Sequence, residues 1–99
     1  MNEGRLKGMI GFAFRARQAV AGTEACEIMI RKGRCGVLLL DGGAGDNTRQ
    51  KAEAMCLRAG VPLVMLPAGF IGETTGRRWM MIALQKGSFS EQILKEEKF

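Results

Sequence analysis

Histidine and tyrosine are both absent from this chain. Without histidine, no side chain titrates near neutrality unless its surroundings shift it. Ser-His-Asp and Cys-His nucleophile systems are therefore excluded, as is any histidine-ligated metal. Catalysis on carboxylates, lysine or a tuned cysteine stays open, but a noncatalytic protein without a cofactor is the expectation. No run approaches the ~18–20 uncharged apolar residues of a membrane span. The opening Met1-Asn2-Glu3-Gly4-Arg5 does not read as a secretory leader, so a cytoplasmic location is expected. Cys26, Cys35 and Cys56 are odd in number and lack CxxC spacing. Buried free thiols are expected rather than disulfides.

What is present suits a compact fold. A chain of 99 residues makes one domain, expected over residues 1–99. Apolar residues at 46% and charged residues at 25% argue against disorder. Lys and Arg number 15 against 10 Asp and Glu, a net +5. An isoelectric point near 9.6 suggests a polyanionic partner, because Lys and Arg replace condensed counterions on phosphates.

Apolar spacing predicts alternating helices and strands. Leu6, Ile10, Ala13 and Phe14 share one face of a helix over residues 2–17. Residues 19–21 form a short apolar piece ending at Gly22. Thr23 then caps or opens a second helix, with Glu24 and Glu27 early, Arg31 and Lys32 late, and Gly33 as its stop. Residues 36–40 are apolar on both faces, as in a buried strand, and run into Asp41. After a glycine-rich loop, Asp46 or Asn47 caps a third helix to about Ala59. A strand over 61–66, a short helix over 70–75 and a strand over 79–84 follow, with Met80 and Met81 read as core. A last helix, capped by Ser88 or Ser90, runs from Glu91 to about Lys98. Helices alternating with strands indicate an α/β sandwich.

Three places could carry chemistry. The loop over 41–47 sits at the carboxyl end of a strand and before a helix, where backbone N–H groups can cradle a phosphate. It lacks GxxxxGK[ST] and GxGxxG patterns, and Asp41 and Asp46 would repel phosphates, so a tight turn is the competing reading. The junction over 21–25 is either a helix cap or a ligand-facing end. The third is the basic set, which includes Arg15, Arg17, Arg31, Lys32, Arg34, Arg49, Lys51, Arg58, Arg77 and Arg78.

The order of several short pieces carries a resemblance. These are Gly11-Phe12-Ala13-Phe14-Arg15-Ala16-Arg17, Gly22-Thr23-Glu24-Ala25, Ile30-Arg31-Lys32-Gly33-Arg34 before Val37-Leu38-Leu39-Leu40, and Asp46-Asn47-Thr48 with Lys51. Val61-Pro62-Leu63, Ile71-Gly72, Gly76-Arg77 and Gly87-Ser88-Phe89 continue it. The chain resembles the kink-turn RNA-binding ribosomal-protein superfamily, which includes the L-seven-Ae, thirty-e and Gadd-type proteins. It looks closest to the bacterial YlxQ-like branch.

That resemblance implies a three-layer α-β-α sandwich around a four-stranded mixed sheet. It implies a structured, kink-turn-like RNA as partner, ribosomal RNA included. The implied site joins the start of the second helix, the loop after the next strand and the loop before the last strand. Gly22 would give close backbone approach, while Thr23 and Glu24 would meet base edges. Arg31, Lys32 and Arg34 would contact phosphates, and Gly42, Gly43, Gly76, Arg77 and Arg78 would form the rim. The superfamily's Gly-x-Asn-Glu-x-x-Lys run falls on residues 22–28, with Glu24 at the Asn position, Ala25 at the Glu position and Ile28 at the Lys position. Gly45 stands at an often acidic position. A protein-interaction module on the same fold and a small nucleotide-binding enzyme are the alternatives.

Overall fold

A computed structural model describes residues 2–97. The expected helix end at Lys98 lies outside the described residues. The chain runs α1 (Glu3–Arg15), β1 (Ala19–Ala21), α2 (Thr23–Arg31), β2 (Cys35–Asp41), α3 (Asp46–Ala59), β3 (Leu63–Leu66), α4 (Phe70–Thr75), β4 (Met81–Gln85) and α5 (Ser88–Glu97). The strands form a four-stranded mixed sheet in the order β1-β4-β2-β3. β2 runs parallel to β3, and β4 runs antiparallel to both β1 and β2.

Side-chain alternation along the central strands builds three layers. Val37 and Leu39 of β2, with Ile82 and Leu84 of β4, pack against Leu6, Ile10 and Ala13 of α1, Phe70 and Ile71 of α4, and Ile93 of α5. Leu38 and Leu40, with Met81 and Ala83, turn to the other face and meet Cys26 and Ile30 of α2 and Ala52, Met55 and Cys56 of α3. This explains why residues 37–40 are apolar without alternation: both faces are covered. Each fully buried aliphatic side chain contributes about 1.5–3 kcal/mol. Among the described residues, no helix is long and apolar enough to cross a membrane.

Local chemistry moves several expected boundaries. Val61 lies outside β3 because its N–H caps α3 through Cys56 O at 2.9 Å, and Pro62 has no N–H to give. Gly45, not Asp46 or Asn47, is the N-cap of α3, and Asp46 is its first residue. α5 begins at Ser88, and Ser90 Oγ reaches back to accept from the Gly87 N–H at 3.2 Å. β4 begins at Met81, so Met80 lies before the strand and is exposed rather than core, whereas Met81 is fully buried.

Candidate nucleic-acid interface

The mixed topology gathers several loops at one edge of the sheet. Ala21 pairs with Ile82, Leu40 with Met81, and Asp41 with Leu66. The carboxyl ends of β1, β2 and β3 therefore lie beside the amino end of β4. Gly22 to Ala25, the loop over 42–45 and the loop over 76–80 meet there, as the implied site requires.

Gly22 is the N-cap of α2, with φ 92° and ψ 152°. That backbone region favours glycine. Its N–H donates to Met81 O at 3.0 Å, and its carbonyl accepts from Cys26 N at 3.0 Å. A Cβ added there would lie 3.6 Å from the Trp79 ring. No side chain caps α2. The first-turn N–H groups therefore stay open at this edge, where the helix dipole favours negative charge. Thr23 is half-buried and Glu24 exposed.

Trp79 was not among the expected site residues. It sits in the loop before β4, half-buried against Gly22, with the Arg77 guanidinium 5.7 Å from its ring centroid. The signal was available in Gly76-Arg77-Arg78-Trp79, an aromatic beside two arginines after a helix-stopping glycine. Reading Trp79 as the first strand residue hid it. Gly76 stops α4 in the left-handed conformation, and the Arg77 N–H donates to Thr75 Oγ1 at 3.2 Å. Arg78 is exposed.

The loop after β2 is built as a tight turn around Asp41. This carboxylate is buried. Oδ1 accepts from Gly43 N at 2.8 Å and Gly69 N at 3.0 Å, and Oδ2 accepts from Ile71 N at 3.1 Å. Burial pushes its pKa up, but the three N–H bonds outweigh that and hold it below the ordinary carboxylate value. Asp41 thus ties the loop to the start of α4. Gly42 is required by close approach, since a Cβ would fall 2.7 Å from Leu66 O. Asp46 is exposed and paired with Arg49 at 2.6 Å.

The remaining expected residues lie elsewhere. α2 rises ~1.5 Å per residue, which puts Arg31 about 12 Å along the axis from Thr23. Arg31 pairs with Glu27 at 3.7 Å, and Lys32 is the C-cap of α2. Lys32 and Arg34 gather instead with Arg17 around a groove that Ala25 and Ile28 also line. The structure therefore brings Gly22, Thr23, Glu24, Ala25, Gly42, Gly43, Gly76, Arg77 and Arg78 to one edge. Arg31, Lys32 and Arg34 stand at the other end of α2.

Cys26 of α2, Cys35 of β2 and Cys56 of α3 are free and buried in one cluster between the sheet and the α2/α3 layer. Burial pushes the Cys26 thiol up to about 12 and the Cys35 thiol up to about 11, and raises Cys56 as well. These are packing groups rather than nucleophiles. Among the described residues, no group of three His, Cys, Asp or Glu is placed to hold a metal.

No protein-family model and no curated protein matches the chain. Solved structures do match. A Bacillus halodurans protein with unknown function superposes with a TM-score of 0.82 at 23% identity, over 91% of this chain and 93% of that one. A Giardia lamblia 15.5kD RNA binding protein superposes with a TM-score of 0.70 at 13% identity, over 92% of this chain and 79% of that one. At these identities the likeness shows a shared fold.

Proposed function

We propose that residues 1–99 act as one noncatalytic RNA-binding domain of the kink-turn RNA-binding ribosomal-protein superfamily, working on structured cytoplasmic RNA, ribosomal RNA included. The YlxQ-like branch rests on the sequence resemblance. One observation carries the reading: the uncapped start of α2 at Gly22 lies against Trp79, with Arg77 over its ring, at an edge that also gathers the loop after β2. The likeness in fold to an RNA binding protein supports it.

In this reading Gly22 admits the RNA backbone, and the first-turn N–H groups of α2 donate to it. Thr23 offers a hydroxyl. Glu24 accepts from guanine, whose adjacent N1–H and N2–H₂ groups an ionised carboxylate can take together, where adenine offers one amino donor beside an acceptor nitrogen. Arg77 and Arg78 contact phosphates and set the register, while base contacts supply specificity. Gly42, Gly43 and Gly76 keep the rim low. Arg31, Lys32 and Arg34 stand outside the footprint, a helix length away.

The test compares a folded kink-turn RNA with one whose sheared G·A pairs are replaced, by fluorescence anisotropy across a salt series. Tighter binding to the folded RNA is expected. Equal affinity for both, or no binding at low salt, overturns the kink-turn reading.

A further inference from the structure

At the far end of α2, a groove of about 300 Å³ opens between that helix and β1. Val20, Ile28 and Met29 give it an aliphatic floor, and Arg17, Lys32 and Arg34 stand around it. Among the described residues these three cations enter no ion pair. No acidic side chain lines the groove. Glu27, the acid nearest in sequence on α2, is engaged with Arg31 and Lys51. Ile28, at a position where the superfamily pattern has lysine, is 43% exposed.

The wall beside this groove is an open strand edge. β1 is the outer strand and pairs only with β4. Gly22 N bonds Met81 O, and Gln85 N bonds Gln18 O. In an antiparallel ladder, hydrogen-bonded pairs alternate with non-bonded ones. Val20 therefore faces β4 with its backbone, and Ala19 and Ala21 turn their N–H and C=O groups to the free edge. Backbone donors and acceptors without a strand partner, more accessible at half-buried Ala21 than at Ala19, which is 8% exposed, lie beside an apolar floor and three cations outside any ion pair among the described residues.

We propose that this groove docks an extended acidic segment of a partner protein. The segment adds as a strand along Ala19 to Ala21, seats an apolar side chain on Val20, Ile28 and Met29, and sets its carboxylates on Arg17, Lys32 and Arg34. Main-chain bonds at a sheet edge supply affinity, and the flanking pocket supplies choice of side chain. Nucleic acid fits less well. It would use the cations but leave the strand edge unpaired, and the lining residues hold no aromatic ring on which a base could stack.

The test uses the full chain labelled with nitrogen-15 and four short probes. These are a peptide alternating Ile with Glu, the same peptide with Lys for Glu, one with Ser for Ile, and single-stranded oligouridine. The Ile/Glu peptide is expected to shift and protect the Ala19 and Ala21 amides and to shift Val20 and Ile28. The Lys and Ser peptides are expected to leave them in place. Ile28→Ser, and separately Arg17→Ser with Arg34→Ser, should each weaken the Ile/Glu peptide about tenfold or more. Both change exposed side chains, and an unchanged thermal midpoint confirms folding. Equal binding of the Ser peptide, or no amide shift with the Ile/Glu peptide, overturns the proposal. Oligouridine shifting the same amides at lower concentration overturns it in favour of an RNA surface.

Discussion

Arg17 holds a conformation that its side chain opposes. Its φ is 60°, in the left-handed region, and it is the only non-glycine so placed among the described residues. The reason is the end of α1: Arg17 N bonds Phe14 O at 3.0 Å and Gln18 N bonds Ala13 O at 2.8 Å. This paired motif normally takes glycine, as after α2, where Gly33 N bonds Ile30 O and Arg34 N bonds Met29 O. Arg17→Gly should therefore stabilise the fold by about 0.5–1 kcal/mol, the relieved strain less glycine's entropy. A thermal midpoint that falls would contradict this. The same change should weaken the acidic peptide, so stability and binding move in opposite directions. Asp41 is the converse, a charged residue the fold depends on. Its folded pKa lies below the ordinary value of 3.8. Its stabilisation is complete above that value and fades as pH falls through the folded pKa. Asp41→Asn removes an acceptor and sets an NH₂ against a backbone N–H, costing about 1–3 kcal/mol near neutrality. Urea midpoints should show that loss at pH 7, and the variant should decline less steeply than the parent below about pH 4.

Helices were legible in the sequence wherever an apolar stripe met a sheet. Leu6, Ile10 and Ala13 of α1, and Ala52, Met55 and Cys56 of α3, lie on the buried faces that their spacing requires. β2 was legible as an unbroken apolar run. The ends were less so, because they depend on partners remote in sequence. Trp79 looks like strand but packs on Gly22, 57 residues earlier in the chain. Arg31, Lys32 and Arg34 follow the candidate start of α2 closely, yet the helix carries them to its other end. Local spacing also left open what Asp41 does, since Gly69 and Ile71 arrive only through the parallel pairing of β2 with β3. The α2/α3 layer carries its own prediction. Burial raises all three thiols, and the contribution of Cys26 and Cys35 is whole below about pH 9 and falls as pH rises toward their folded values of about 12 and about 11. Iodoacetamide at pH 8 should leave the native thiols unmodified and label all three in denaturant. Rapid labelling of Cys26 in the native protein would show that α2 does not stay packed on the sheet.

Across the whole molecule, charge follows the direction of the chain. The edge where α2 and α3 begin carries Glu24 and Asp46 together with Arg49, Arg77 and Arg78. The ends where α1, α2 and α3 stop carry Arg15, Arg17, Arg31, Lys32, Arg34 and Arg58. Cations at helix ends suit the dipoles, but Arg15, Arg17, Lys32, Arg34 and Arg58 enter no ion pair among the described residues, and that leaves a surface open to a second partner. The net +5 is therefore divided, and the division separates two kinds of binding. Each phosphate that a cation neutralises releases counterions, so the slope of log affinity against log salt measures how many are neutralised. If the RNA sits at the junction, Arg77→Gln with Arg78→Gln should flatten that slope by roughly one unit for each phosphate no longer neutralised. Replacing Arg31, Lys32 and Arg34 together by Gln should leave the slope for a short kink-turn RNA where it was, while abolishing the acidic peptide's shift of Ala19 and Ala21. A slope that flattens in the triple variant and holds in the Arg77 and Arg78 pair would move the RNA to the other end of α2, onto the groove assigned here to a peptide.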